Sequence, residues 1–396
     1  MHSDLRTEME KRIIYLDNSA TTKPSDASLD KMREALSVSY GNAGSVHFMG
    51  NNAHKMLEDS RKAIALTMGI RRPGDGHVIF TAGGSEANNL AIFGSINAKD
   101  RSAGGKIFIS DGEHPSVNEC ANALEKKGFE VFRVPTYGGA LDLEFLRKNC
   151  DKNTVLASFM LVNNETGAVY DVEGACRIVR EKAPKAFIHC DAVQGYLKRR
   201  FTLKSLGVDA VSISSHKINS PKGAGALVIT REVITAKRLV PVTLGGGQED
   251  GFRSGTENIP AIAAFGAAAT EGFSQFAERS SKIERLRDAL ESELGDSVRI
   301  NRPSTYLPGI VNLTLPSIKS ETMLNFLSGE GICISAGSAC SARSKGVSHA
   351  LTAFGIPDEE ADCSVRVSFN HLNTEEEMEI FAKTLKEGIS KLAKIK

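Results

Sequence analysis

The sequence has 396 residues, and 49 Lys and Arg side chains nearly balance 48 Asp and Glu, which leaves a formal net charge of +1. This length suffices for a large α/β domain with a smaller companion, and the balanced charge argues against nucleic acid or a membrane surface as the partner. The seven cysteines contain no C-x-x-C pair, which argues against disulfides and against a zinc site. We therefore predict no metal. No signal-peptide region or span of ~18 apolar residues occurs, so we expect a soluble protein of the reducing cytoplasm.

The first half of the chain alternates between two kinds of segment. Short apolar runs predict strands, and the periodic runs between them predict helices. The predicted strands are 13–16, 77–81, 106–110, 129–134, 154–162, 186–190, 209–214 and 225–230. The predicted helices include 50–68, 87–93, 116–127 and 142–148. This alternation predicts an α/β fold with a doubly wound, mostly parallel sheet.

Gly84 and Ser85 follow the strand at 77–81 and open a helix. Unpaired amides at a helix start form an anion site, and glycine lets a phosphate approach. The segment is neither a dinucleotide fingerprint nor a P-loop. An ordinary tight turn is the alternative interpretation.

Other polar side chains also follow predicted strands. They are His114, Asn164, Asp191, Gln194, Ser214 and His216. An acid at a strand end can keep a pyridinium nitrogen protonated, although Asp191 is equally suited to cap a helix. A loop histidine such as His114 is more often a solvated surface residue. Because strand ends of one parallel sheet meet at one edge, their convergence favours a site there.

Lys217 lies just past the buried strand at 209–214. A desolvated lysine has a lowered pKa and can attack an aldehyde, such as that of pyridoxal phosphate. Most lysines, however, are surface residues with a solvated amine. After a long alanine-rich helix that begins near Ile259, the composition shifts. We therefore predict a large domain at 16–262 and a smaller α+β domain made of 1–15 and 263–396.

Over nearly its whole length the sequence resembles the cysteine desulfurases, pyridoxal-phosphate enzymes of the class V aminotransferase fold. The motifs that carry this resemblance are Leu16–Thr22, Val162–Glu165, Ser215–Lys217, Pro221–Gly223, Gly245–Gln248, Arg253–Asn258 and Gly337–Cys340. The resemblance implies a pyridoxal-phosphate-dependent transferase fold of the aspartate aminotransferase type.

The resemblance also implies a role for each matching residue. Lys217 would bind the cofactor aldehyde covalently, His114 would stack on the cofactor ring, and Asp191 and Gln194 would contact its nitrogen and phenolic oxygen. Asn164 and Arg366 would hold the substrate carboxylate, since a guanidinium can bind a carboxylate through two hydrogen bonds. The residues expected to hold the phosphate are Gly84, Ser85, Ser214, His216 and, from the second subunit of a homodimer, Thr256.

Cys340 decides which reaction is expected. It lies in a segment of small and polar residues, typical of an exposed mobile loop of about 335–348 that carries a reactive thiol. The resemblance implies that Cys340 attacks the sulfur of L-cysteine, releases L-alanine and keeps a persulfide. The motif is similar to the group with the longer loop, which passes sulfur to iron–sulfur scaffolds or tRNA-thiolation proteins.

The sequence departs from the family pattern at three places. Asn219-Ser220 replaces the usual Tyr-Gly, Ala43 replaces a common proline, and Asn370-His371 replaces a frequent Gly-Arg. Two alternatives stay open at this point, a selenocysteine lyase and a catalytically silent binding subunit of the same fold.

Overall fold

The computed structural model describes residues 13–72, 74–98, 104–336 and 348–392. The strands in these ranges are β1 Ile14–Tyr15, β2 Gly76–Thr81, β3 Lys106–Ser110, β4 Glu130–Val134, β5 Thr154–Met160, β6 Phe187–Asp191, β7 Ala210–Ser214, β8 Gly225–Thr230, β9 Arg299–Ile300, β10 Ile310–Thr314, β11 Ile332–Cys333 and β12 Ser364–Ser368. The strands predicted in the first half of the chain are all present.

The α-helices of the described ranges mostly connect these strands. They are α1 Asp26–Ser37, α2 Phe48–Thr67, α3 Gly84–Asn97, α4 Pro115–Glu125, α5 Leu143–Asn149, α6 Val172–Lys182, α7 Leu203–Leu206, α8 Arg231–Thr235, α9 Ile259–Ser274, α10 Phe276–Leu294, α11 Ser320–Gly329, α12 His349–Phe354, α13 Asp358–Ala361 and α14 Glu375–Lys391. The sequence pattern did not predict α6. None of these described helices has the length and apolar character that crossing a bilayer requires.

The large sheet of the described chain has seven strands in the order β2-β8-β7-β6-β5-β3-β4. The strands β4, β3, β5, β6 and β7 pair in parallel, and β8 runs antiparallel to both of its neighbours, β7 and β2. The predicted α/β class and the mostly parallel sheet are therefore confirmed. The central strands β6 and β7 are buried on both faces, as expected when helices cover each side.

Helix starts at the carboxyl edge of this sheet are locally encoded. α4 begins with Pro115 at its first position, and the ring of His114 caps it by accepting a hydrogen bond from the Ser116 amide. α3 begins at Gly84, where a Cβ atom would lie 2.7 Å from Val193 Cγ2, so only glycine fits without displacement. These two helix starts place Ser85, which follows β2, and His114, which follows β3, in the walls of one cavity at this edge.

A second unit is built around a small antiparallel sheet. β10 pairs with β12 and β9, and β1 pairs in parallel with β11. Its apolar core includes Ile14, Leu290, Leu313, Val367 and Leu385. The N-terminal strand β1 therefore packs with the second unit.

We place the boundary between the two units later in the chain than the predicted residue 263. That residue lies inside α9, and Ala263, Phe265 and Ala268 pack in the core of the large sheet. A helix buries its apolar face as one body, so its halves do not belong to different domains. We propose that the boundary lies at Gln275, between α9 and α10.

Candidate active site

A cavity of about 260 Å³ lies at the carboxyl edge of the large sheet. It collects nearly all side chains that the sequence predicted for cofactor or substrate binding. Those lining it are Gly84, Ser85, His114, Asn164, Asp191, Gln194, Ser214, His216, Lys217 and Arg366. The polar side chains that follow the strands therefore lie close together, as expected. We call this space the cofactor cavity.

One end of the cofactor cavity is suited to an anion. Ser85 lies in the first turn of α3, a helix of 14 residues whose amino end carries partial positive charge. The Ser214 hydroxyl is buried beside it and has no hydrogen-bond partner among the described residues. A buried hydroxyl without a partner is costly, and a phosphate oxygen would satisfy it.

Lys217 follows β7 in a single turn of 3-10 helix. Its amine donates hydrogen bonds to the carbonyl oxygens of Ser19 and, at 2.8 Å, of Ala20. Burial, followed by the charges of Lys198 and Arg366, lowers the pKa of Lys217 to about 7. A large fraction of the amine is therefore neutral near neutral pH and is a competent nucleophile.

Asp191 ends β6, and its carboxylate is held in place by its neighbours. Oδ2 accepts a hydrogen bond of 2.7 Å from Asn88 Nδ2, and Oδ1 accepts one of 3.0 Å from the Val193 amide. Glu113 is buried nearby, and burial followed by the charge of Asp191 raises its pKa well above the ordinary value. This raised pKa favours the protonated form of Glu113 beside the Asp191 carboxylate.

The two histidines of the cofactor cavity are neutral. Burial lowers the pKa of His114, which Asp191 opposes, and Nδ1 of His114 accepts a 3.1 Å hydrogen bond from the Ser116 amide. Burial and the charges of Lys217 and Lys222 lower the pKa of His216 to about 3. Neutral rings can stack on a flat ligand without adding to the positive charge of Lys217.

Arg366 reaches the cofactor cavity from β12 of the second unit. Its Nη2 pairs with Asp17 Oδ1 at 2.7 Å, and its Nη1 donates to the Asn164 carbonyl at 2.9 Å. The side chain is buried, and its Nε has no partner among the described residues. Arg366 is thus a fixed cation beside Asn164, which suits it to a carboxylate.

Two predicted site residues are not part of this cavity. Thr256 is exposed on the surface of the chain and does not line the cofactor cavity. Cys340 lies at 337–347, outside the described residues. The roles predicted for these two residues therefore stay predictions.

The residues of the cofactor cavity fit pyridoxal phosphate. An anion cradle with an unpartnered hydroxyl lies at one end, a fixed carboxylate lies on the wall, and a neutral amine at the end of β7 faces the same space. These are the partners that a phosphate, a pyridine nitrogen and an aldehyde require.

Sequence reasoning missed two contributors to the site. Asn88 lies on α3 one turn after Ser85 and bonds both Asp191 and Ser116. Ser19 supplies its carbonyl to the Lys217 amine and to Gln194 Nε2. The spacing of Asn88 from Ser85 was a usable signal, because residues three apart share one face of a helix.

The described cysteines are poor nucleophiles. Cys120, Cys150, Cys176, Cys190 and Cys363 are buried, and only Cys333 is partly exposed. Burial raises the pKa of all six thiols, to about 12 for Cys120 and Cys176. A thiol that stays protonated does not attack sulfur efficiently.

Comparison with known proteins agrees with this geometry. The sequence model of the family described as Aminotransferase class-V matches residues 14–381. The chain is 34% identical over 382 residues to "Cysteine desulfurase IscS 1" of Archaeoglobus fulgidus, covering 96% of this chain and 97% of that protein. It is 36% identical over 392 residues to "NifS/IcsS protein homolog" of Lactobacillus delbrueckii subsp. bulgaricus, covering 97% and 99%.

Solved structures share the same architecture. A structure titled "NIFS-LIKE PROTEIN" superposes with a TM-score of 0.88 at 34% identity, covering 96% of this chain and 100% of that chain. DndA from Streptomyces lividans gives a TM-score of 0.74 at 32% identity, covering 90% and 99%. The large sheet and the second unit are thus arranged as in these proteins.

Proposed function

The chain belongs to the class-V aminotransferase family, and we propose that it is a pyridoxal-phosphate-dependent cysteine desulfurase. It converts L-cysteine into L-alanine and leaves the sulfur as a persulfide on Cys340. When bound, pyridoxal phosphate supplies an aldehyde for the substrate amine and a ring that accepts electrons from Cα.

The anchoring of the segment that carries Cys340 is the observation on which this proposal rests. Ser335 and Arg366 exchange two backbone hydrogen bonds, of 3.2 and 2.7 Å, just before the segment 337–347. Just after it, the Ser348 hydroxyl donates to Glu165 Oε2 at 2.5 Å, next to Asn164. Both ends of the segment are therefore fixed beside the two residues predicted to hold the substrate carboxylate.

The residues of the cofactor cavity divide the work before sulfur transfer. Ser85 and Ser214 would hold the phosphate, Asp191 would pair with the ring nitrogen, and His114 would stack on the ring. Arg366 and Asn164 orient the substrate through its carboxylate. The Lys217 amine would accept the Cα proton of the bound substrate, which its lowered pKa of about 7 permits near neutral pH.

Sulfur transfer then needs only a thiolate in reach of the substrate sulfur. Cys340 Sγ attacks that sulfur, an S–S bond forms and the substrate C–S bond breaks with its electron pair left on Cβ. Protonation of the carbon yields alanine, and the sum is cysteine plus thiol giving alanine plus persulfide. Because burial keeps the described thiols protonated, they are unsuited to replace Cys340 in this step.

Substitution of Cys340 by alanine tests this function directly. We expect the release of alanine and sulfide from L-cysteine with a thiol reductant to fall to background, while the visible absorbance of the bound cofactor is retained. Cys333→Ala is the matched control, because Cys333 precedes the same segment, and it should keep its activity. Full activity of Cys340→Ala would contradict the mechanism, and turnover of L-selenocysteine in the same assay separates the lyase alternative.

The protein's assembly and sulfur acceptor follow from the same proposal. Thr256, exposed in the single chain, completes the phosphate site of a second subunit in a homodimer of the cytoplasm. The persulfide passes to an acceptor protein of iron–sulfur assembly or tRNA thiolation. Mixed dimers test the first point: a Lys217→Ala chain paired with a Thr256→Ala chain has one intact site, and should be more active than either homodimeric variant.

A further inference from the structure

A second cavity of about 430 Å³ adjoins the cofactor cavity, and Ser19 and Lys217 line both. Its other walls are the end of α9, the first three turns of α10, the loop before β10 and the residues after β12. It therefore lies between the two units, and we call it the interdomain cavity. Its volume falls within the range of small-molecule sites.

The interdomain cavity is lined by an excess of cations. Lys198, Arg199, Arg200 and Arg279 line it, together with the single acidic side chain of Glu284. Among the described residues, no carboxylate forms an ion pair with Lys198, Arg199 or Arg200. Lys198 is half-buried, whereas Arg199 and Arg200 are exposed. Cations this close together repel one another, and a bound anion lowers that repulsion.

Arg279 adds a cation to the interdomain cavity that is paired with a carboxylate, and His371 adds no charge. Arg279 is only 11% exposed, and its single described carboxylate partner is Glu271, 3.3 Å away. Burial and the charges of Arg279 and Lys282 lower the pKa of His371 to about 4. His371 is therefore neutral near pH 7 and can accept or donate a hydrogen bond without adding charge.

One wall of the interdomain cavity is apolar. Ile283, Leu307, Ile310 and Phe369 line it, and the Arg200 guanidinium lies 4.4 Å from the centroid of the Phe276 ring. A site of this kind binds the anionic group of a ligand at its cationic wall and the hydrocarbon part against its apolar wall. Inorganic ions alone would leave the apolar wall in contact with water.

Two of the three departures from the family motifs line this same space. Asn219 and the pair Asn370-His371 all contribute to it. Asn219 adopts a left-handed φ of 65°, which asparagine tolerates better than most residues, and its amide donates to the Lys23 carbonyl at 2.9 Å.

We propose that the interdomain cavity binds a small organic anion, a carboxylate, sulfonate or phosphate on an apolar body. The ligand adjoins the cofactor site through Ser19 and Lys217, so its binding alters the surroundings of the Lys217 amine. This inference does not depend on Cys340 or on the identity of the sulfur substrate.

Equilibrium dialysis of the holoenzyme against 1-naphthalenesulfonate tests the proposal. We expect one probe bound per chain, with about tenfold weaker binding for Arg199→Gln and for Arg279→Gln, since each removes a charged hydrogen-bond donor. Ser280→Trp, which fills the cavity from α10, should abolish binding. The matched control is Arg231→Gln, an exposed arginine on α8, which should bind as the wild type does.

Two further arms separate the proposal from its competitors. The neutral analogue 1-naphthalenemethanol should bind the wild type and both arginine variants equally weakly. Absence of probe binding, or equal binding by all variants, would overturn the proposal. The proposal would also be overturned if Arg366→Lys lost probe binding while Arg279→Gln retained it, because the probe would then bind in the cofactor cavity. Failure of the desulfurase assay leaves these measurements unaffected.

Discussion

The two cavities share the wall of Ser19 and Lys217 but differ in how their charges are compensated. In the cofactor cavity each charged group has fixed partners, Asn88 for Asp191 and Asp17 for Arg366. In the interdomain cavity the cations of Lys198, Arg199 and Arg200 have no described ion-pair partner. Preorganised groups can act on a bound molecule during a reaction, whereas uncompensated cations beside an apolar wall favour only binding.

Lys217 and Lys198 show a similar difference between two buried amines. Burial lowers the pKa of Lys217 to about 7 and that of Lys198 to about 8. Lys217 lies at the end of β7 with its amine against two carbonyl groups, and Lys198 donates to Gln194 Oε1 at 3.1 Å. Similar desolvation therefore gives reactivity only where the amine faces the cofactor.

Removal of the Lys217 amine should have the largest effect. We expect Lys217→Ala to lose about 10³-fold or more in desulfuration, because both covalent cofactor attachment and Cα proton transfer need the amine. The absorbance of the cofactor should change to that of a non-covalently held aldehyde. Lys198→Met is the control and should keep the covalent spectrum, and loss of that spectrum would contradict the contrast between the lysines.

Asp191→Asn should have the next largest effect. Loss of the carboxylate that we propose pairs with the ring nitrogen should lower kcat by about 10²-fold or more, because electron acceptance by the ring depends on its protonation. Asp209 is the matched control, since it is also buried and pairs with Arg180 and Arg238 at 2.8 and 3.0 Å.

Asp209→Asn should instead lower the free energy of unfolding by about 2 kcal/mol, because the two partly exposed guanidinium groups of Arg180 and Arg238 lose a buried carboxylate partner. The visible spectrum of its folded holoenzyme should be unchanged. Chemical denaturation and absorbance measure both variants, and a spectral change in Asp209→Asn would show that the two aspartates are not separable.

The rate of cofactor attachment should follow the Lys217 titration. The neutral amine is the nucleophile, so the rate after pyridoxal phosphate is added to cofactor-free protein should rise about tenfold per pH unit below its pKa of about 7 and level off above it. An ordinary lysine would continue to gain rate up to its usual value of 10.5.

The Lys198→Met variant tests whether the charge of Lys198 lowers the pKa of Lys217. The positive charge of Lys198 lowers the pKa of Lys217, so its removal should shift the midpoint of the rate profile to higher pH. A stopped-flow record of the visible band across pH 6 to 10 gives both midpoints. An unchanged midpoint would mean that the two amines do not interact.

Ser214→Ala should have the smallest effect. Its effect on stability should differ between the cofactor-free protein and the holoenzyme. Its hydroxyl is buried without a described partner, so its loss should leave the cofactor-free protein equally or more stable. The holoenzyme should lose about 1 kcal/mol, the contribution of one hydrogen bond to the phosphate. Thermal unfolding with and without pyridoxal phosphate measures both, and Ser212→Ala, which removes a hydroxyl bonded to His189 at 2.8 Å, should destabilise both states.

Local sequence patterns predicted most of the large sheet and its edge. β-branched and apolar runs of five to seven residues specify the strands, and parallel strands bring their carboxyl ends together without further information. Ser85, His114, Asp191 and Lys217 could therefore be assigned to one site before any coordinates. The alanine-rich helix α9 was correctly predicted, but its packing partner was not, because small apolar side chains fit either core.

Site features that depend on one residue and its neighbours in the sequence could be predicted, because a strand end, a glycine turn and a lysine after a buried run each leave a local sequence pattern. Packing between distant segments decided the rest. Arg366 reaches the cofactor cavity from another unit, Asn88 meets Asp191 across 103 positions of the chain, and the interdomain cavity exists only where α10 and the end of β12 meet Lys198–Arg200. Such contacts depend on how whole surfaces fit together, and no local pattern encodes that fit.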